Sequence, residues 1–264
     1  MDLGLRDRVA IVGGSSKGMG KATAVALARE GALVTICART ESELRKVEME
    51  IARLASQRHV MAIPADLSKP ENIKMVVRDT FNRFERIDVV VNNIGGPPPG
   101  RPSEIKDDAW YDALEQNFMS AMRMSREAIP YMKQQRWGRI INLLSNAVRE
   151  PVLNLVLSTS SRLAVVGYSK MLSNELASFN ITVNNVHPGQ VMTGRMTSLY
   201  SAMAEGTAKS AEELMREAAH QIPMRRLGRP EEMGDLITFL ASERAAYITG
   251  QNISLDGGAL HATI

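Results

Sequence analysis

Short apolar runs alternate with amphipathic stretches along almost the whole of this 264-residue chain. The apolar runs are rich in Val and Ile and are bounded by polar or glycine-containing segments, which is typical of buried β-strands. The predicted strands are Val9–Val12, Leu33–Cys37, Val60–Pro64, Asp88–Val91, Arg139–Leu143, Thr182–Val186 and Asn252–Leu255. Stretches with helical spacing lie between them, at Glu41–Ala55, Glu71–Phe84, Asp107–Gln134, Ser158–Ser178 and Glu231–Ala241. This alternation predicts one α/β domain, with a doubly wound parallel sheet of about seven strands and helices on both faces.

The first strand leads into a glycine-rich turn and then a helical pattern, RVAIVGGSSKGMGKATAVALARE at positions 8–30. Gly14, Gly18 and Gly20 stand where a strand-to-helix turn needs backbone without side chains. The first N–H groups of such a helix can face a pyrophosphate, and the positive end of the helix dipole favours its charge. Three glycines alone are a weak signal, but in this strand–turn–helix context they predict a dinucleotide-binding site.

Composition and charge narrow the classes of function. With 44% hydrophobic residues the chain can bury a sizeable core, and no apolar run approaches the roughly 20 residues that span a bilayer. The N-terminal segment lacks the zones of a signal peptide, so we expect a cytoplasmic protein without a membrane anchor. The formal net charge of +3 is mild and the basic residues are scattered. This argues against nucleic-acid binding and suits an anionic cofactor or substrate.

Cysteine and histidine usage suggests neither redox nor metal chemistry. The single cysteine, Cys37, lies in a predicted strand, where we expect a buried bystander. His59, His220 and His261 show no metal-ligand spacing with cysteine or carboxylates, so no metal site is predicted.

One segment interrupts the regular spacing of elements. Residues 190–229 separate the sixth strand from the helix pattern that opens at Pro230. An insertion of this length beside a nucleotide site is typical of a substrate cover, and the alternative is a packing or interface helix pair. Five of the sixteen methionines lie between Met192 and Met224. They are either adaptable core residues or part of a pliable lid over an apolar substrate.

Further motifs follow the glycine turn and cover nearly the whole chain. They are Asp66-Leu67, Asn92-Asn93-Ile94-Gly95, Asn117, Ser145, Pro188-Gly189, GRPEEMG at 228–234 and ITGQNISLDGG at 248–258. With these motifs the chain resembles the short-chain dehydrogenase/reductase family, and its body is similar to 3-oxoacyl-carrier-protein reductases. The resemblance implies a Rossmann-like fold, a nicotinamide dinucleotide and a homodimer or homotetramer. Related enzymes pair through helices that correspond to 107–134 and 158–178 and through the C-terminal strand.

The resemblance also implies a set of cofactor contacts. The glycine turn would hold the pyrophosphate, and Asp66 would hydrogen-bond the adenine. Asn92 and Gly95 would line the adenosine ribose, and the segment from Pro188 to Thr193 would hold the nicotinamide. The predicted cofactor-binding residues are Gly14, Ser16, Lys17, Gly18, Met19, Gly20, Arg39, Asp66, Leu67, Asn93, Gly95, Pro188, Gly189, Val191 and Thr193. Gly13 departs from the family, in which a threonine usually braces the turn, so we expect a looser turn here.

The residues at the end of the second strand indicate which dinucleotide is bound. A carboxylate at this place would bind both ribose hydroxyls of NAD and repel a 2′-phosphate. The sequence here is Cys37-Ala38-Arg39-Thr40, without a carboxylate. Arg39 offers a planar fork to a phosphate and Lys17 adds a second positive charge. We therefore predict NADP(H); the alternative is that both cations are only solvated surface residues.

The catalytic set of the family is matched only in part. That set is an asparagine, a serine, a tyrosine and, four residues later, a lysine; Asn117 and Ser145 match the first two. Counting forward from Ser145 and back from Glu175-Leu176-Ala177 places Ser158 at the tyrosine position and Arg162 at the lysine position. Tyr168 lies ten residues beyond Ser158, about 15 Å at helical rise, so it does not restore the motif.

These replacements remove the usual proton donor. A phenol beside an ammonium group is a usable acid, whereas a serine hydroxyl is far weaker and arginine stays protonated. Losing a positioned general acid costs about 10²–10⁴-fold in rate. Ser145 and Arg162 can still stabilise an alkoxide, and a water beside Ser158 can relay a proton. Asn117 would position a water, as the resemblance implies.

Other roles for these residues remain open. Arg162 can alternatively be a cofactor anchor alone, and for Ser158 a structural or water-binding role is favoured over direct acid catalysis. For His187, which precedes Pro188, a structural role is favoured over proton donation.

Three interpretations of function follow from the sequence. The leading one is an NADP(H)-dependent oxidoreductase that reduces a ketone or 3-oxoacyl-type carbonyl with non-standard proton delivery. The second is a catalytically silent NADP(H)-binding sensor or scaffold. The third is another reaction on the same scaffold, such as isomerisation or reduction of an activated C=C or C=N bond. The substrate class rests on family analogy, because one fold carries many substrates.

Overall fold

A single parallel sheet organises the chain in the computed structural model, which describes residues 1–262. Within these residues the sheet has seven strands in the order β3-β2-β1-β4-β5-β6-β7, and every neighbouring pair is parallel. The strands are β1 (Val9–Gly13), β2 (Leu33–Ala38), β3 (Val60–Pro64), β4 (Val89–Asn92), β5 (Gly138–Leu143), β6 (Ile181–Pro188) and β7 (Asn252–Leu255). The strand predictions are confirmed, with ends that shift by at most two residues.

Helices cover both faces of the sheet, as the alternating pattern predicts. They are α1 (Gly18–Arg29), α2 (Glu41–Leu54), α3 (Pro70–Phe84), α4 (Asp107–Leu114), α5 (Ser120–Gln135), α6 (Val156–Leu176), α7 (Gly194–Ala204), α8 (Ala211–Gln221) and α9 (Pro230–Ala241). One apolar core joins the sheet to α1, α2 and α9, and a second joins it to α3, α5 and α6. Burial on both faces explains why the strands are almost continuous apolar runs. Cys37 is fully buried, and burial raises the pKa of its thiol to about 12, which confirms the prediction of an inert bystander.

The long helix predicted over Asp107–Gln134 is not uniform, which corrects that prediction. A π-helical segment, Glu115–Met119, separates α4 from α5 and keeps the backbone helical throughout. Apolar spacing does not mark a single wide turn, because the residues on either side keep helical periodicity. Such segments occur often at functional sites, and this one contains Asn117.

Four asparagines form an amide ladder across the sheet, and the inner two, Asn142 and Asn185, are buried. Asn92, Asn142, Asn185 and Asn252 are register partners on β4, β5, β6 and β7. Their side chains are linked by hydrogen bonds of 2.8, 2.9 and 2.9 Å. Asn142 also donates to Ser169 Oγ of α6 at 3.0 Å. Because buried amides need partners, this ladder favours one register of the strands and fixes α6 against them.

The insertion at 190–229 contains helices α7 and α8, which the strand pattern alone did not predict. A signal for α8 exists in the sequence, since Ser210 and Glu213 form a reciprocal capping box at its start. Two backbone hydrogen bonds close the base of the insertion, from Met192 N to Gly228 O at 2.8 Å and from Gly228 N to Gln190 O at 2.9 Å.

Candidate active site

The glycine turn connects β1 to α1 at the carboxyl edge of the sheet. Gly14 and Gly18 have φ of +55° and +58°, a conformation that side chains disfavour. A methyl group at Gly20 would collide with the carbonyl of Gly14 and the side-chain amide of Asn93. The turn therefore requires glycine at all three predicted positions.

Side chains from other elements brace this turn. Asn93 Nδ2 donates to Gly13 O at 3.0 Å and to Gly14 O at 3.3 Å. A methyl group at Gly13 would lie 2.8 Å from the backbone oxygen of Asn93. The looser turn expected from glycine at this position is therefore offset by contacts with Asn93.

The amino-terminal end of α1 faces the same edge. Lys17 is exposed, and its side chain makes no hydrogen bond to the first turn of the helix. Ser16 and Met19 are half-buried beside it. The first N–H groups of α1 thus have no side-chain cap, which leaves them available to an anion.

The ends of β2 and β3 supply a cation and a carboxylate. Arg39 follows β2 directly and is exposed, and Asp66 follows β3 with the buried Leu67 after it. Burial alone would raise the pKa of Asp66, but two hydrogen bonds from Ser68 and the positive charge of Arg39 lower it overall. The guanidinium of Arg39 therefore lies near enough to the Asp66 carboxylate to lower its pKa.

The end of β6 crosses over to the glycine turn. Gly189 packs against Asp256, and a methyl group at this glycine would lie 2.7 Å from Asp256 Cβ. Val191 is buried, and Thr193 accepts a hydrogen bond from Met196 N at the start of α7. The methyl carbon of Thr193 lies 3.3 Å from where a Cβ of Gly18 would stand. The structure thus brings the end of this segment, at Thr193, against the glycine turn.

Asn117 is held against α6 by a hydrogen bond. Its Nδ2 donates to Ser161 Oγ at 2.9 Å, and Ser161 in turn donates to Leu157 O at 2.6 Å. Both side chains are buried. Ser161 precedes Arg162 directly, so Asn117 fixes the turn of α6 that carries this arginine.

Ser145 stands just beyond β5. It caps a short 3₁₀ turn, Asn146–Val148, and its Oγ accepts from Ala147 N at 3.2 Å. The structure records no hydrogen bond between Ser145 and Ser158 or Arg162 in residues 1–262. In the contact with Ala147 the Ser145 oxygen is the acceptor, so its hydroxyl proton remains available for another hydrogen bond.

Ser158 and Arg162 form a pair on successive turns of α6. Arg162 Nη1 donates to Ser158 Oγ at 2.5 Å. Arg162 is buried with 7% of its surface exposed, and within residues 1–262 no carboxylate forms an ion pair with it. Burial and, to a smaller extent, the positive charge of Arg195 lower the pKa of the guanidinium to about 10. Arg162 nevertheless stays charged at neutral pH.

A cavity lies at the carboxyl ends of β4 and β5, where several of the predicted site residues meet. Asn93, Asn117 and Arg162 line it together with Leu67 and Gly13, and Arg162 is its one charged lining residue in the described chain. Ser145 and Ser158 are not among the lining residues, although Ser158 is bonded to Arg162. The structure therefore brings predicted cofactor-binding and catalytic residues to one cavity.

Two other titratable residues, Tyr168 and His187, do not line this cavity. Tyr168 packs edge-on against Phe118 at 6.0 Å, and burial raises the pKa of its phenol. His187 is fully buried, and burial with the nearby charge of Arg149 lowers its pKa to about 4. It is therefore neutral near pH 7, and its ring nitrogens form no hydrogen bond within residues 1–262.

Arg195 is a candidate that the sequence patterns did not identify. It lies in α7 and is exposed, and its guanidinium packs against Gly96 in the loop that follows β4. These residues are far apart in the sequence, so only the tertiary fold brings them together. No spacing in the sequence signals this contact.

The chain matches the family profile described as "Enoyl-(Acyl carrier protein) reductase" over residues 14–260. It is 32% identical over 253 residues to the NADPH-dependent reductase BacG of Bacillus subtilis (strain 168), covering 96% of this chain and 98% of that protein. It is also 32% identical over 256 residues to the 3-oxoacyl-[acyl-carrier-protein] reductase FabG of Vibrio cholerae, covering 97% of this chain and 98% of that protein.

A solved structure has nearly the same backbone. L-sorbose reductase from Gluconobacter frateurii, complexed with NADPH and L-sorbose, superposes with a TM-score of 0.95 at 29% sequence identity. The match covers 99% of this chain and 100% of that protein. The doubly wound parallel sheet predicted from the sequence is thus also the fold of a known reductase.

Proposed function

Because this chain belongs to the short-chain dehydrogenase/reductase family, we propose that it is an NADP(H)-dependent reductase of a ketone or 3-oxoacyl-type carbonyl. The observation that carries this proposal is the cavity in which Asn93, Asn117 and Arg162 meet beside the glycine turn. In a doubly wound sheet this edge, at the carboxyl ends of the strands, is where ligands bind.

The chain's own residues fit such a dinucleotide. The uncapped N–H groups of α1 and the side-chain-free turn at Gly14 and Gly18 would receive the pyrophosphate. Arg39 and Lys17, both exposed and outside any ion pair within residues 1–262, would hold the 2′-phosphate. When bound, the nicotinamide supplies the hydride. The Pro188–Thr193 segment would hold this ring near the glycine turn.

Stabilisation of charge is the role we assign to Arg162. As hydride reaches a carbonyl carbon, the oxygen gains negative charge, and donors fixed beforehand stabilise it. Arg162 is fixed by Ser158 and keeps its proton at neutral pH, so it donates hydrogen bonds rather than a proton. Ser145 would be the second donor to this oxygen.

The proton itself would come from water. Ser158 leaves space where a larger side chain would reach the carbonyl, and Asn117 would position the water that relays the proton. The buried hydrogen bond from Asn117 to Ser161 supports this placement, because it fixes the amide beside the turn that carries Arg162.

Conjugate reduction of an activated C=C bond is a second candidate, favoured by the same guanidinium. In that reaction hydride adds to the β-carbon, the electron pair moves to the carbonyl oxygen, and the α-carbon takes a proton from water. A permanently charged donor such as Arg162 suits the enolate oxygen, which needs hydrogen bonds but no immediate proton.

The insertion at 190–229 would cover the substrate. Its base is closed at Gly228, and the contact of Thr193 with the glycine turn supports a position of α7 beside the site. Three of its methionines, Met192, Met203 and Met224, are 42%, 52% and 64% exposed and thus are not core residues. Exposed methionines on a cover suit an apolar substrate body.

A homodimer or homotetramer would form through the long helices. Tyr111 on α4 and Leu163 and Met171 on α6 are 70%, 45% and 69% exposed. Large apolar side chains on these helices suit pairing with a second copy.

The experiment that tests the proposed function measures binding and turnover separately. NADPH affinity is measured by titration, and NADPH consumption is then followed with β-ketoacyl thioesters, diketones, aldehydes, quinones, imines and α,β-unsaturated carbonyl compounds. We expect consumption with one carbonyl class, and loss of that consumption in Arg162→Ala and Ser145→Ala proteins that still fold. Product identification by NMR separates an alcohol from a saturated carbonyl compound.

Tight NADPH binding without consumption would contradict the enzyme proposal. It would favour the alternative of a silent NADP(H)-binding sensor or scaffold. Failure to bind NADPH would overturn both readings.

A further inference from the structure

Arg195 and Arg162 lie on two helices beside the cavity. Arg162 lines it from α6, and Arg195, from α7, packs against Gly96, two residues after the lining residue Ile94. The charge of Arg195 lowers the pKa of Arg162, so the two guanidinium groups are close enough to repel. Like charges placed together destabilise the protein unless an anion lies between them.

No acidic side chain balances this pair in residues 1–262. The ion pairs of the described chain include neither Arg162 nor Arg195. Arg162 is the only charged residue that lines the cavity in this part of the chain. A buried, uncompensated guanidinium next to a second one indicates that the balancing charge belongs to a ligand.

Gly96 gives Arg195 its position. A methyl group at Gly96 would lie 2.8 Å from Nη1 and 3.0 Å from Nη2 of Arg195, closer than atoms approach without displacement. The bare backbone of Gly96 therefore lets the guanidinium pack against the loop that follows β4. This places a planar fork of N–H donors beside the cavity, and such a fork matches the geometry of a carboxylate.

We propose that Arg195, together with Arg162, binds a carboxylate of the substrate and so selects anionic carbonyl compounds. This inference rests on the proposed reductase function and specifies its substrate class. The pyrophosphate of the dinucleotide would already be held by the glycine turn and the uncapped N-terminus of α1. The exposed methionines of the insertion suit a substrate whose remaining part is apolar.

The test compares matched acids and esters. Pyruvate and acetoacetate are titrated against their methyl esters, and glutarate against dimethyl glutarate, with the protein saturated with NADP⁺ and heat release as the readout. We expect the acids to bind at least about tenfold more tightly than the esters, because charge-assisted hydrogen bonds to a carboxylate are lost in the esters. NADPH affinity is measured independently for every variant.

Three variants and a control locate the effect. Arg195→Leu should remove the preference for acids, Arg195→Lys should retain part of it, and Gly96→Ala should weaken it by displacing the guanidinium. Arg216→Gln is the control, because Arg216 is exposed on α8 and forms no ion pair in residues 1–262. This variant should keep the full preference. Thermal unfolding verifies that each variant folds.

Two results would overturn the proposal. The first is equal affinity of the wild-type protein for acids and esters, or no measurable binding of any acid. The second is an Arg195→Leu protein that keeps the preference for acids and instead loses NADPH affinity, which would assign Arg195 to the cofactor's phosphates. If NADPH does not bind the wild-type protein at all, the reductase proposal fails rather than the anion site.

Discussion

Arg162 Nη1 lies 2.5 Å from Ser158 Oγ, which is four residues earlier in α6. Removing the guanidinium would leave the developing oxyanion without its only charged donor in the cavity. We expect Arg162→Ala to lower kcat/KM by about 10²–10³-fold, the usual loss when a fixed oxyanion donor is removed. Steady-state kinetics with the best substrate of the panel measures this. Unchanged kcat/KM with weaker NADPH binding would instead make Arg162 a cofactor anchor alone.

A tyrosine and a lysine introduced on α6 test the proposed proton delivery. The double variant Ser158→Tyr, Arg162→Lys places a tyrosine and a lysine four residues apart on the face of α6 that now carries the serine–arginine pair. We expect at least about a tenfold gain in kcat for unactivated ketones, since a positioned general acid contributes about 10²–10⁴-fold. The single variant Ser158→Ala serves as the comparison. If the double variant loses an activity that the wild-type protein has, Ser158 and Arg162 form a working site of their own.

Cofactor preference should depend on Arg39. Its exposed guanidinium stands at the end of β2, where the 2′-phosphate distinguishes NADPH from NADH. Arg39→Ala should weaken NADPH binding by about tenfold or more, since a bidentate phosphate contact is lost, and should leave NADH binding almost unchanged. Arg53→Gln is a suitable control, because Arg53 is exposed at the end of α2 and forms no ion pair within residues 1–262. Equal weakening of NADPH and NADH binding would show that Arg39 does not contact the 2′-phosphate.

His187 should make the protein acid-sensitive. Its pKa of about 4 in the folded state lies below the ordinary value near 6.5, so the unfolded state binds the proton first. The free energy of unfolding therefore decreases as the pH falls from 6.5 to 4. The loss is up to about 3 kcal/mol, at about 1.4 kcal/mol per pKa unit. His187→Leu should remove this loss. Chemical denaturation of both proteins at pH 7 and pH 4.5 measures the difference.

The control for this prediction is His220→Gln. His220 is exposed near the end of α8, so its replacement should leave the difference in unfolding free energy between the two pH values unchanged. A wild-type protein and a His187→Leu protein that lose equal stability between the two pH values would show that His187 is protonated in the folded state as readily as in the unfolded one.

The sheet could be predicted from the sequence because its strands are buried on both faces. Runs such as Val9–Val12 and Val60–Pro64 are apolar throughout, so the position and the length of each strand can be recognised in the sequence. The glycine turn is visible for a similar reason: the positive φ of Gly14 and Gly18 restricts the residue type.

Other features depend on distances that a linear pattern does not contain. The π-helical segment around Asn117 keeps helical periodicity on both sides, and α7 has no strong start signal before Thr193. The contact of Arg195 with Gly96 arises only when the insertion folds over the sheet. The bond from Asn117 to Ser161 likewise requires the packed position of α6.

Transfer of deuterium from NADPH labelled at C4 of the nicotinamide tests the central claim most directly. The labelled cofactor is mixed with the wild-type protein and the substrate class that is consumed fastest, and the product is analysed by NMR. The account predicts deuterium on the former carbonyl carbon, and little product in the same time with Arg162→Ala. Deuterium on a former alkene carbon, or a bound cofactor that keeps its label with every compound of the panel, would contradict carbonyl reduction.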